Sequence, residues 1–161
     1  MPGVSIKPIR TADKDWVKKI TKQTFGSKFV YDAGRKKFPH KLPGFVAYDK
    51  NERVGLVTFE IMSKECEIVS IESLRPGEGI GSLLLNKVLE TARSHGCKRI
   101  WLITTNDNLN ALRFYQNRGF VLKKIYPGAV TKTRETIKPE IPLIGEGGIP
   151  IRDEIELEYR L

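Results

Sequence analysis

The chain has 161 residues, with 28 Lys and Arg against 19 Asp and Glu, a formal net charge of +9. That length suits one domain with a self-sufficient core, and 40% apolar with 29% charged residues excludes a disordered tail or a collagen-like fibre. No apolar run approaches the roughly 18 residues of a membrane span, the start Met1–Lys7 lacks the apolar stretch of a secretory signal, and Cys66 and Cys97 are too few for a disulfide framework or a zinc cluster. The expectation is a soluble, cytoplasmic chain forming a single domain over residues 1–161, monomer or homodimer. The charge is uneven. Residues 1–64 hold 14 basic and 6 acidic side chains, whereas residues 127–161 hold 5 and 7. A basic front half attracts polyanions such as nucleic acid or a phosphate-bearing small molecule, or it is merely a solvated face.

In chain order, Val4 to Ile9 alternates as a short edge strand. Thr11 or Asp13 caps a helix through Trp16, Val17 and Ile20 to about Thr24, stopped by Gly26. Ser27 to Pro43 is basic and punctuated by Gly and Pro, a loop with at most one short helix. Gly44–Asp49 and Arg53–Met62 are strands around the turn Lys50-Asn51-Glu52, and Glu65–Leu74 is a third consecutive strand. From Gly81 the apolar positions Leu84, Leu85, Val88, Leu89 and Ala92 draw one face of a helix ended by Gly96. Arg99–Thr104 contains the continuous apolar run Ile100–Ile103 of a covered central strand. A helix over Asn108–Arg118, closed by Gly119, leads to a strand over Phe120–Tyr126. Pro127–Pro150 reads as an irregular excursion, and Ile151–Leu161 closes the chain as a strand. Strands and helices interleave as an α/β layer structure.

The densest chemical signal is Arg75-Pro76-Gly77-Glu78-Gly79-Ile80-Gly81-Ser82, between a strand and an amphipathic helix. Glycines there let backbone approach a ligand, and the free N–H groups of a helix start favour phosphate. An NTPase phosphate loop needs a Lys that is absent, and a dinucleotide fingerprint needs a Gly where Ser82 stands. A tight turn without a ligand is the bland alternative. The second signal is Asn108, Ala111 and Tyr115 at i, i+3 and i+7 on one helix face, followed by Gly119-Phe120. Read blandly, Asn108 is a cap and Tyr115 a core aromatic.

Together the two stretches resemble the GNAT superfamily of acetyl-CoA-dependent N-acetyltransferases. Gly79-Ile80-Gly81 matches the glycines of its pyrophosphate motif, and Asn108, Ala111, Tyr115, Gly119 and Phe120 match its N-x-x-A-x-x-x-Y…GF motif. Pro76 departs from the usual Arg or Gln of the first motif, with Arg75 one residue early. The resemblance implies a single-domain acyl-CoA N-acyltransferase fold: a mixed, mostly antiparallel sheet of about six to seven strands with splayed central strands, and helices on both faces. It further implies acetyl-CoA as co-substrate without a metal. Its pantetheine would bond to the backbone of Glu72, Ser73 and Leu74 like an added strand, and its pyrophosphate would sit on Gly77, Glu78, Gly79, Ile80, Gly81 and Ser82, with Asn108, Ala111 and Tyr115 completing the cofactor site.

The implied reaction moves acetyl to a primary amine directly within a ternary complex. Tyr115 would give the departing thiolate its proton, and Glu67, then Glu65, would take the amine proton, with bulk water and solvated carboxylates as the alternative. By strand alternation, Glu65 and Glu67 share a face and Glu72 lies on the other. An acetyl-cysteine route through Cys66 or Cys97 lacks an activating His, and His40 and His95 read as surface residues. The acceptor is expected to be a small-molecule amine rather than a protein. The excursion would shape its pocket, with Glu146 and Asp153 as contacts, and the neighbouring Glu154, Glu156 and Glu158 either attract a cationic amine or face solvent. A non-catalytic CoA sensor or a basic nucleic-acid-binding module is the alternative function, although basic and aromatic residues are not interleaved as on an RNA platform.

Overall fold

The computed structural model describes residues 3–161; Met1 and Pro2, which open the Met1–Lys7 stretch, lie outside the described residues. In chain order the elements are β1 (Val4–Pro8), α1 (Lys14–Phe25), β2 (Val30–Asp32), β3 (Arg35–Lys37), β4 (Gly44–Asp49), β5 (Glu52–Met62) and β6 (Glu65–Ser73). There follow α2 (Ile80–Ser94), β7 (Arg99–Thr105), α3 (Leu109–Gln116), β8 (Val121–Tyr126), α4 (Ala129–Thr136) and β9 (Glu154–Arg160). The chain divides into two compact units. One takes the chain up to Val30, Lys37–Ile100 and Leu161; the other takes Tyr31–Lys36 and Trp101–Arg160. Among the described residues no helix is long and apolar enough to cross a membrane.

In the first unit β1, β4, β5 and β6 pair antiparallel in that order. Alternation on β5 sends successive side chains to opposite faces, and each face receives a helix. Leu56 joins Val17 and Ile20 of α1, with Val46 and Tyr48 of β4, in one buried cluster. Its neighbour Gly55 faces α2 so closely that an added Cβ would lie 2.6 Å from Ile80 Cγ2 and 3.1 Å from both Leu84 Cδ1 and the Glu72 carbonyl. Only glycine permits this approach. Gly55→Ala is expected to cost about 1–3 kcal/mol through overpacking, read as a lower urea midpoint at unchanged m-value; an unchanged midpoint would show that α2 shifts freely.

The register between β5 and β6 slips once: Thr58 opposes Ser70, but Phe59 opposes Ile68. Val69 is therefore an extra residue, a β-bulge that resets the alternation of β6. Cross-strand partners share a face, so Glu72 opposite Leu56, Ser70 opposite Thr58 and Glu67 opposite Glu60 all point to the α1 side. The Thr58 and Ser70 hydroxyls meet there at 2.6 Å. Counting alternation along a flat strand puts Glu72 on the other face from Glu67; the bulge overturns that.

In the second unit β9 lies between β7 and β8, antiparallel to β8. Among the described residues a seven-stranded, mainly antiparallel sheet and four α-helices make the mixed α/β fold expected from the sequence. Neither Thr11 nor Asp13 caps α1 with its side chain; buried Asp13 instead accepts from the Arg10 N–H, the Tyr48 hydroxyl and Arg53 Nε. The Gly- and Pro-punctuated segment after α1 is not only a loop: it contains the β2–β3 hairpin, turned by Ala33 and Gly34 at φ 48° and 73°, the left-handed pair of a tight hairpin turn. The excursion contains α4, and β9 starts at Glu154 rather than Ile151. The Thr-rich sequence of α4 shows little apolar periodicity. Its start is held from outside, by Asp153 Oδ1 on the Gly128 N–H at 2.8 Å and the Arg152 carbonyl on the Val130 N–H at 2.9 Å.

Candidate active site

The strand β6 runs into the glycine loop, and the loop opens α2. Gly77 and Gly79 both take left-handed φ, 83° and 79°, and the space over each is open. Gly79 precedes the helix without a side-chain cap, at the positive end of the helix, where backbone N–H groups favour an anion. Such a loop can hold an anion through backbone rather than side chains. Arg75 takes no part in it: its guanidinium bonds Asp49 at 2.5 Å and Glu52 at 2.8 Å, bracing the β4–β5 turn. Ahead of the loop, Glu72 and Ser73 pair with Leu56 and Gly55, and the Leu74 N–H bonds the Val54 carbonyl at 2.9 Å.

Three carboxylates of β6 differ in their surroundings. Glu67 is buried and accepts from Lys37 Nζ; the two side chains are 3% and 2% exposed. Glu65 accepts from Arg99 Nε at 2.9 Å. Glu72 has no cation partner among the described residues; burial pushes its carboxyl up to about 7, and a hydrogen bond with Thr24 of α1 pulls only partly the other way. A carboxylate that titrates near neutrality is suited to accept a proton. Lys37 and Thr24 were invisible in the sequence because they lie 30 and 48 residues before the groups they meet. The cysteines are buried, and burial followed by the influence of Cys97 pushes the Cys66 thiol up to about 12, which keeps it protonated and unreactive. His95 is exposed, but His40 is half-buried, against expectation. Among the described residues no cluster of three His, Cys, Asp or Glu could hold a metal.

In the second unit, Asn108 caps α3, its Oδ1 accepting from the Ala111 N–H at 3.2 Å. Tyr115 is buried, its ring 5.1 Å from Phe114 and from Phe120. The helix closes on itself through the Arg118 and Phe120 N–H groups, both on the Tyr115 carbonyl. The excursion is pinned by residues the sequence left without a role. Asn106 bonds the Pro150 carbonyl and the Arg152 and Asp153 N–H groups. Asp107 accepts from Thr105 and from the Glu146 N–H. Arg134 reaches the carbonyls of Ile141, Pro142 and Ile151. Glu146 itself is exposed, whereas the Asp153 carboxylate is engaged at the start of α4. Glu154, Glu156 and Glu158 are all buried rather than solvent-facing, accepting from the Ala33 N–H, the Tyr126 hydroxyl and Lys123 respectively.

The sequence matches the family described as Acetyltransferase (GNAT) family over residues 13–120. The chain belongs to that family. It is 49% identical over 116 residues to the uncharacterized protein YdhI of Bacillus subtilis (strain 168), covering 71% of this chain and 72% of that one. Its fold superposes with a TM-score of 0.72 on a GNAT family acetyltransferase from Elizabethkingia anophelis solved with acetyl-CoA bound, at 22% identity and 100% coverage of both chains. Arabidopsis thaliana Naa50, solved with the bisubstrate analogue CoA-Ac-MVNAL, matches at a TM-score of 0.69 and 21% identity, covering 99% of each chain. Membership makes this GNAT protein an acetyltransferase by class.

Proposed function

We propose that this chain is an acetyl-CoA-dependent N-acetyltransferase, a single domain over residues 1–161 that transfers acetyl to a primary amine directly within a ternary complex. The observation that carries the reading is the open glycine backbone of residues 77–82 at the uncapped start of α2, at the end of the strand that presents Glu72. The relative from Elizabethkingia anophelis, solved with acetyl-CoA, supports the choice of cofactor. The N–H groups of Gly77, Glu78, Gly79, Ile80, Gly81 and Ser82 hold the pyrophosphate, the backbone of Glu72, Ser73 and Leu74 bonds the pantetheine, and Asn108, Ala111 and Tyr115 contribute from α3. Pro76 fits this role because backbone rather than a side chain meets the phosphates.

Acetyl-CoA supplies the thioester. Glu72 takes the proton of the amine, whose nitrogen bonds the acetyl carbon as the carbon–sulfur bond breaks. Tyr115 returns a proton to the departing sulfur. Glu72 replaces Glu67 and Glu65 as base because those two carboxylates are already neutralised by Lys37 and Arg99. The acceptor is a small amine reached past the excursion, with Glu146 as its contact there; a peptide amine, as in the ligand of Naa50, is the second choice.

Acetyl-CoA is expected to raise the melting temperature by several degrees at about 100 times its Kd, with NADH and ATP far behind at equal concentration. The chain should also release free CoA when mixed amines are added. Equal shifts from all three ligands would overturn the cofactor assignment, and strong binding without release would leave a CoA sensor.

A further inference from the structure

The α1 face of the first unit carries a second feature beside the carboxylates of β6. His40 sits in the short turn Pro39–Lys41, edge-on to Phe38 at 5.9 Å, and Phe38 tilts against Phe29 at 6.1 Å. His40 Nδ1 is shut from solvent and meets no hydrogen-bond partner among the described residues. After burial, the influences that hold this imidazole below its ordinary value are the ammonium groups of Lys18, Lys41, Lys28 and Lys14. All four lysines are exposed. None has an acid partner among the described residues, whereas Arg53, Arg75 and Arg99 of the same unit are each in an ion pair. Lys41 lies over the Phe38 ring at 4.8 Å. Lys41 over the Phe38 ring, with the charges of Lys18, Lys28 and Lys14 acting on the neighbouring imidazole, concentrates positive potential there.

Position separates this corner from the phosphate loop. The lysines belong to α1, the segment after it and the Pro39–Lys41 turn, whereas α2, which the loop opens, packs on the opposite face of the sheet. Position also ties it to Glu72. Thr24, which bonds Glu72, stands six residues beyond Lys18 on α1, about 9 Å along the helix axis, and Lys28 follows four residues later. We propose that the lysine-rich corner of Phe29, Phe38 and His40 receives a carboxylate or phosphate of the acetyl acceptor, so that the acceptor is an amine that also carries an anionic group. The proposal rests on the amine-acetylation reading above. An anion there gains the lysine field, and the imidazole beside Phe38 lies close enough to report its arrival.

The test uses the intact chain saturated with CoA, so that the phosphate loop is filled; saturation is checked by the thermal shift, whose absence would count against the cofactor assignment instead. His40 and His95 are the two histidines of the chain, and their imidazole NMR signals are followed while inorganic phosphate is added. The His40 signal should shift saturably and that of exposed His95 should not. Lys18→Gln/Lys41→Gln should weaken the apparent affinity by about tenfold or more. In a second arm, CoA release is measured for amino acids paired with their amides. The carboxylates should have higher kcat/KM by about tenfold, the double variant should bring the ratio towards one, and KM for acetyl-CoA should not change. Comparison with acetyl-dephospho-CoA identifies the remaining source of phosphate: if the variant raises KM for acetyl-CoA but not for the dephospho form, the lysines serve the cofactor and the proposal fails. It fails equally if the His40 signal does not move, or if acids and amides are acetylated alike.

Discussion

Glu72→Gln is expected to lower kcat/KM for the acceptor by about 10²-fold or more at pH 7.5, the size of a general-base contribution, with little change in acetyl-CoA affinity. Wild-type kcat/KM should rise with pH through about 7, where the Glu72 carboxyl titrates, because only the carboxylate accepts a proton. The variant should lose that step and keep only the rise at higher pH from the amine itself. Stability should move the opposite way. A carboxyl raised from 4.5 to about 7 by folding makes the native state hold its proton more tightly. Stability is therefore fully present below the unfolded value and falls as pH rises to about 7. Gln carries no charge, so above pH 7 the variant should have the higher urea midpoint, and below pH 4.5 the gap should close. An inactive variant with an unchanged pH profile would mark Glu72 as structural, and Glu67 would return as the base.

Tyr115→Phe is expected to lower kcat by about 10²-fold while acetyl-CoA binds with its normal Kd, because in the proposed reaction the hydroxyl acts in the chemical step and not in the complex. The fold should tolerate the change. The ring that packs between Phe114 and Phe120 is retained, and the closing N–H bonds of α3 go to the backbone carbonyl of residue 115 rather than to its side chain. Rapid-mixing measurement of the acetyl-transfer step, with calorimetry for the cofactor, separates the two quantities. Full turnover with an intact fold would reduce Tyr115 to the core aromatic that its burial also describes.

How much of this was legible beforehand differed from element to element. For α2 the apolar spacing was sufficient: Leu84, Leu85, Val88 and Ala92 are all buried, since a helix face repeats within the chain itself. The glycine loop was legible for a similar reason, because open backbone at a helix start is a property of a few consecutive residues. Asn108 was legible both as a motif member and as a cap, and the capping bond to Ala111 is present. By contrast α4 has no such pattern of its own, and Arg152 and Asp153, more than 20 residues later, hold its first turn. The same holds for the excursion, whose anchors Asn106 and Asp107 precede it.

The carboxylates show the division most clearly. Sequence alone determined that β6 is a strand bearing Glu65, Glu67 and Glu72 ahead of a glycine turn at a helix start, because strand propensity and glycine spacing act over neighbouring residues. Which of the three titrates near neutrality was decided only in the tertiary structure. The bulge at Val69 turned Glu72 to the α1 face, Lys37 and Arg99 neutralised the other two, and burial beside Thr24 raised the one that remained. The lysine charges acting on His40 follow the same rule: their number could be counted along the chain, but not which of them act on the imidazole. Charge pairing and desolvation depend on distance through space, and a linear pattern does not contain that distance.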